Sequence, residues 1–453
     1  IPANLKVPSA PSYYRLVRWL AGLGEDLPPA AIPEVVRLYT TFVAATLGYD
    51  SFTPVIVSWF YRWLMEIEDA DSADIRENRT PFGGGLAPEK IGTLKSELRI
   101  GFLSLCHRKP DLAASYLKTL ATRSRNYRDC QNVVMSCGTL AQAAPTELAE
   151  LTARALISSP HSDDFWGKRD HEAFDFFDHE FLPLSPSKGP FLQLLTHAPQ
   201  HGLDLIRRLV DHAVSFRSGG RPHGANALTI VFPSQERVFP WAETYRWSRE
   251  GVGNYAVTCA LMALELWAHR RIEAGEEFSV VLSDVIGPTG VPAAYLLVAV
   301  DLILSHWPAS RESAIPFLGC PELLSMDRLR AAQEGFGGAD LFNLNQDSLG
   351  AKNLEDLRQR PSRRTQLEYA LSNYALFEPF SQRDILTDLL RNAAARLHPP
   401  GKDADFADPE FMVLHALNRV DPENYVKEER VMPDGTKAEG WRYISPPEEA
   451  KHL

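Results

Sequence analysis

Proline recurs in this chain where one helix-forming run gives way to another. Leu103-Ser-Leu-Cys-His-Arg-Lys precedes Pro110, and an amphipathic run follows it to Leu117. Leu140-Ala-Gln-Ala-Ala precedes Pro145 and the run to Leu156, and Leu194-Leu-Thr-His-Ala precedes Pro199 and the run to Leu209. A looser fourth case surrounds Pro308. Proline lacks an N–H and clashes with the preceding turn, so it stops one helix; its fixed φ suits the first position of the next. Pro110 and Pro145 lie 35 residues apart, a helical-hairpin repeat length, and Pro199 follows after 54. The expected fold is mainly α: an irregular helical repeat or solenoid of HEAT- or TPR-like pairs, with two small β-hairpin insertions.

The rest of the chain is consistent with that class. At 453 residues it exceeds one ordinary core. Residues 1–70 read as an N-terminal helical subdomain in which Val55 to Leu64 is apolar on most sides and therefore central. Residues 71–89, with Gly83-Gly84-Gly85, read as a loop or linker. A central helical-repeat region is expected over 90–330, with a hairpin near 228–239. A polar loop follows over 331–364, then a C-terminal helical subdomain over 365–453 that ends in a hairpin near 425–444. Pro433-Asp434-Gly435 supplies the turn signal of that hairpin. The start at Ile1 and the helix-like close from Pro446 to Leu453 read as a piece of a longer polypeptide or a processed product.

Composition removes several function classes. The net charge of −11 disfavours a sequence-independent grip on phosphate backbones. Five scattered cysteines without a CxxC pair indicate neither a disulfide framework nor a zinc ribbon, and point to a reducing, cytoplasmic setting. The most apolar run, Val291 to Leu304, is too short to span a membrane and contains Asp301. No GxxxxGK[ST], GxSxG or HExxH sequence occurs, so no cofactor is implied and catalysis has little support.

Three groups of residues carry chemistry. His171, Asp175 and His179 are spaced by four, so neighbouring pairs share one face of a helix, as an imidazole–carboxylate metal site requires. The competing reading is an amphipathic helix with Phe174, Phe177 and Phe181 turned inward. Trp241, Tyr245, Arg246, Trp247 and Arg249 interleave aromatics with arginine, the composition of a recognition surface or of a packed turn capped by Arg246 or Arg249. Trp166, Arg169, Trp241, Arg246 and Trp247 are the partner-binding candidates. Arg123, Arg125, Tyr127 and Arg128 form one basic patch, and Arg358, Arg360, Arg363 and Arg364 another. Either would suit nucleic acid, although on an acidic chain both read as solvated faces or helix-end charges.

The run from Asp164 to His171 (Asp-Phe-Trp-Gly-Lys-Arg-Asp-His), Thr196 to His201 (Thr-His-Ala-Pro-Gln-His), Phe239-Pro-Trp241 and Tyr255 to Trp267 together resemble the helical region of large bacterial ATP-binding proteins of the STAND or NACHT-like class, linked to anti-phage defence. The resemblance covers about the central third and continues toward the C-terminal hairpin. It implies a sensor or scaffold portion, since the Walker A sequence of that class is missing, and it transfers no functional residue.

The leading expectation is a non-catalytic scaffold or sensor that binds a protein or other domains of a longer chain, with no membrane partner and with oligomer formation open. A metal-dependent hydrolase using His171, Asp175 and His179 is the first alternative. A nucleic-acid-binding helical module is the second.

Overall fold

A computed structural model describes residues 10–46, 48–72, 79–122, 127–157, 173–219, 226–249, 254–335, 348–401, 403–431 and 437–452. The chain is mainly helical, with nineteen α-helices and two small antiparallel strand pairs among these residues. It forms two compact units, one of residues 1–169 and 193–205, the other of residues 170–192 and 206–453.

The first unit contains α1 (Ala10–Leu23), α2 (Ile32–Thr46), α3 (Thr53–Ser72), α4 (Pro88–Leu105), α5 (Pro110–Thr122), α6 (Tyr127–Met135), α7 (Leu140–Ala143) and α8 (Pro145–Ile157). The prolines act as the sequence suggests: α5 and α8 begin at Pro110 and Pro145, and α10 (Pro199–Arg217) begins at Pro199 after α9 (Phe191–His197). At the looser fourth break, Pro308 lies between two helices of the second unit.

The central helix is α3, with Ile56, Val57, Phe60, Leu64 and Ile67 fully buried. Tyr39 of α2 stacks on Trp63 at 6.3 Å. Gly101 lets α4 close on α3, because a Cβ there would stand 2.8 Å from the Phe60 ring. The expected loop over 71–89 is shortened from both ends, since α3 runs to Ser72 and α4 starts at Pro88. The glycines of that stretch make a tight 3-10 turn, Pro81–Gly84, in which Phe82, Gly83 and Gly84 take positive φ.

The second unit is built on α11 (Tyr255–Glu273) and α13 (Leu296–Ser305), with α12 (Phe278–Ile286) between them in sequence. Every residue of α11 from Ala256 to His269 is buried, and so is α13 from Leu296 to Ile303. A helix apolar on all sides belongs inside, and these two fill the core. Around them stand α14 (Arg311–Leu318), α15 (Pro321–Gly335), α16 (Ser348–Arg358), α17 (Leu371–Leu376), α18 (Phe380–Arg396) and α19 (Pro409–Val420).

The first hairpin pairs β1 (Leu228–Val231) with β2 (Glu236–Phe239). The second pairs β3 (Tyr425–Val431) with β4 (Lys437–Tyr443), and its turn lies outside the described residues. The expected polar loop over 331–364 is corrected in part: α15 continues to Gly335, and α16 occupies Ser348–Arg358. Leu354 and Leu357, one turn apart, are buried and seat that polar helix.

Candidate functional site

Two charged groups stand inside the otherwise apolar central helices of the second unit. Glu265 of α11 and Asp301 of α13 are both fully buried. A carboxylate cannot remain charged there without partners, and the fold brings them from two irregular segments. Arg249 ends the turn that follows β2 and donates two parallel hydrogen bonds to Asp301, at 2.7 and 2.8 Å. Arg363, on the 3-10 turn Pro361–Arg364, donates to both oxygens of Glu265 at 2.7 and 2.9 Å and reaches Asp301 at 3.3 Å. Two guanidinium groups thus bracket two carboxylates in the fork geometry that suits them.

The cluster continues outward without a break. Arg249 also donates through Nε to Glu334 at 2.9 Å, and Arg330 donates to the other Glu334 oxygen at 2.7 Å. Arg330 is paired with Asp327 at 2.9 Å, and Asp327 accepts from the Tyr245 hydroxyl at 2.8 Å and from the Leu367 N–H at 2.7 Å. Beside it, His269 and His306 share a hydrogen bond of 2.8 Å between Nδ1 and Nε2. Arg360 joins Glu273 to Asp356.

Burial sets the titration of this cluster. It pushes the Glu265 carboxyl up to about 7 against the opposing pull of Arg249, and it pushes Asp301 well above the usual carboxylate range. Burial also lowers His269 to about 3 and His306 to about 4, so both imidazoles are neutral near pH 7. The four carboxylates Glu265, Asp301, Asp327 and Glu334 face the three guanidinium groups of Arg249, Arg330 and Arg363.

The second unit holds another closed cluster near its end. Glu449 is fully buried; His415 donates to it through Nδ1 at 2.6 Å, Asn418 donates at 2.8 Å, and the Tyr443 hydroxyl binds it too. Glu368 stands 3.8 Å from the other His415 nitrogen and accepts from Arg328 at 2.6 Å.

The residues singled out from sequence fall in several places. Trp166, Arg169 and His171 lie outside the described residues. Asp175 and His179 do not share a helix: Asp175 is extended and caps the short 3-10 turn Phe176–Phe181 through a bond from Phe177 N. Phe177 and Phe181 of this turn are buried. Among the described residues no group of three His, Cys, Asp or Glu side chains is placed to hold a metal ion.

Trp241 takes left-handed backbone angles, with φ of 60°. Trp247 is only 2% exposed with Arg217 5.0 Å over its ring, and Arg246 binds Gln333. The segment from Trp241 to Arg249 packs as a turn anchored through Arg249, with Trp241 and Arg246 half-buried. Of the basic patches, Arg360 and Arg363 are engaged with carboxylates, and Arg123 and Arg125 lie outside the described residues. All five cysteines are free and buried; burial pushes Cys106 and Cys130 up to about 11 and Cys137 and Cys259 up to about 12, which favours the thiol over the thiolate.

Two surface features complete the inventory. A cleft of about 580 Å³ follows α3 at Tyr61, Arg62, Met65 and Glu66 and meets Lys109 and Asp111 at the start of α5. At the corner between α17 and α18, Phe377 is 69% and Phe380 73% exposed, with Ile385 exposed beyond them. No described helix is long and apolar enough to cross a membrane.

Glu265, Asp327, Arg330 and Glu334 do not stand out as site residues in the sequence. For Glu265 the signal was present: one acid among Ala, Leu, Met and Trp in the helix from Tyr255 to Trp267, matched by Asp301 in the other apolar helix. No protein-family model and no curated protein matches this chain.

Proposed function

We propose that this chain is a non-catalytic interaction scaffold made of irregular helix pairs. The observation that supports it most is where the reactive groups sit. Glu265, Asp301, Arg249 and Arg363 of the second unit are paired with one another in the core, while large aromatic side chains are exposed at the surface, as at Phe377 and Phe380. A catalytic acid or base has to reach substrate, whereas a recognition surface needs exposed anchors with a rigid body behind them. The buried clusters supply that rigidity by fixing α11, α13, α15 and the 3-10 turn at Arg363 in one arrangement. The resemblance to the helical region of STAND- or NACHT-like defence proteins extends this reading to a sensor portion of a larger bacterial protein.

The test is native mass spectrometry of the purified chain, combined with cross-linking in the cells that produce it. The scaffold reading predicts a specific protein partner cross-linked through exposed side chains. A stoichiometric mass increment the size of a metal ion or a nucleotide would overturn it.

A further inference from the structure

Helix α1 carries two apolar stripes. Tyr13, Val17 and Ala21 are buried, and Tyr13 and Tyr14 both pack on Phe42 of α2. At 100° per residue, Trp19 projects from the opposite side of the helix and Leu16 from the flank beside it. Trp19 is 60% exposed and Leu16 41%. A helix of the first unit that needed only to pack on its neighbour would have polar residues there.

The charge on this face is all of one sign. The sequence of α1, APSYYRLVRWLAGL, contains Arg15 and Arg18 and no acidic residue. Among the described residues neither arginine forms an ion pair, and Arg18 lies 5.9 Å over the Phe52 ring. The nearest carboxylate that the α1 side chains engage, Asp50, is taken by the Tyr14 hydroxyl at 3.1 Å and the Phe52 N–H at 2.7 Å. Tryptophan and arginine are the side chains most enriched where binding energy concentrates.

Building on the interaction reading, we propose that the outer face of α1 docks an acidic, amphipathic helical segment of a partner protein. The partner's apolar stripe covers Leu16 and Trp19, and its carboxylates pair with Arg15 and Arg18. A protein segment fits better than an anionic lipid surface. The chain carries −11 overall, so an extended anionic sheet is repelled by the rest of the molecule. A short segment feels charges only within about 8–10 Å at ordinary ionic strength.

The experiment uses the full chain and fluorescence anisotropy of three probes. The first is a fluorescein-labelled helical peptide with leucines at i, i+3, i+4 and i+7 and glutamates elsewhere. The second has lysine for every glutamate, and the third is a set of labelled vesicles of three parts phosphatidylcholine to one part phosphatidylserine. The proposal predicts that the acidic peptide binds and the lysine peptide does not. Trp19→Ala weakens binding at least about tenfold, the range of a single anchoring side chain. The double variant Arg15→Glu/Arg18→Glu exchanges the preference from the acidic peptide to the basic one. Circular dichroism of both variants matches the parent, because the substituted side chains are exposed.

Equal binding of both peptides, parental affinity in the variants, or capture by vesicles alone would overturn the proposal. Cross-linked complexes of the chain with its cellular partner separate this failure from failure of the scaffold reading. Partner complexes that survive in the α1 variants remove α1 alone. Absence of any partner complex from the parent chain removes the scaffold reading itself.

Discussion

Each unit buries a carboxylate in its core, and the two solve the resulting problem differently. In the first unit Glu68 of α3 is fully buried and accepts from Arg99 at 2.8 Å and from the Tyr116 hydroxyl at 3.1 Å. Arg99 also binds Asp129 at 2.6 Å, Asp129 binds Lys95 at 2.9 Å, and Lys95 binds the half-exposed Asp71 at 2.7 Å. That chain of charges leads out to water. In the second unit Glu265 and Asp301 have their bidentate partners, Arg249 and Arg363, largely shielded from solvent. The first cluster staples helices α3 to α6 and can relax toward solvent. The second is the more enclosed network, since its outer carboxylate Glu334 is 29% exposed against 44% for Asp71, and loss of one member strands another.

The sharpest contrast is therefore expected from removing one arginine in each unit. Arg363→Met leaves Glu265 without its two shortest bonds and should cost about 3–5 kcal/mol, the range for breaking a buried pair from one side. Arg99→Met should cost less, about 1–3 kcal/mol, because Tyr116 still donates to Glu68 and Asp129 keeps Lys95. Urea unfolding of each variant measures both, and equal losses would erase the distinction between open and closed clusters.

A smaller effect is expected from pH. Glu265 and Asp301 have folded-state values above those of the unfolded chain, so the folded state holds the extra protons. The contribution of Glu265 is fully present below the ordinary carboxylate range and is lost as pH rises through about 7, and that of Asp301 has the same sign. His269 and His306 are depressed, so their contribution is present above the ordinary imidazole value near 6.5 and is lost as pH falls toward about 4. The two slopes oppose each other below about 6.5 and only the carboxylate slope remains above it. Stability of the parent chain should fall between pH 6.5 and 8, and Glu265→Gln should flatten that fall. A stability that stays flat over the same window would show that the buried carboxylates are ionised at neutral pH.

Much of the helical skeleton was legible because proline and apolar spacing act locally. Pro110, Pro145 and Pro199 mark true helix starts, and both hairpins sit where their strand-rich runs and turn residues place them. Where the reading failed, tertiary partners decided. The segment from Asp175 to Phe181 has helical spacing, but Asp175 stays extended and caps a short 3-10 turn instead. Trp247 looks like a surface anchor in sequence and is a core residue in space. The Glu265 cluster was half legible: an acid within an apolar helix announces that a cation must arrive. Nothing local says that the cation is Arg363, about a hundred residues away.

The most direct test of the closed-lattice account is a double-mutant cycle on Arg249 and Asp301, read by urea unfolding of Arg249→Met, Asp301→Asn and the double variant. The account predicts that each single change is strongly destabilising and that the double change costs at least about 2 kcal/mol less than their sum, since each removes the charge that the other would strand. Losses that add to within about 0.5 kcal/mol would mean that the two groups act independently. The buried cluster would then not be the lattice that holds the second unit rigid.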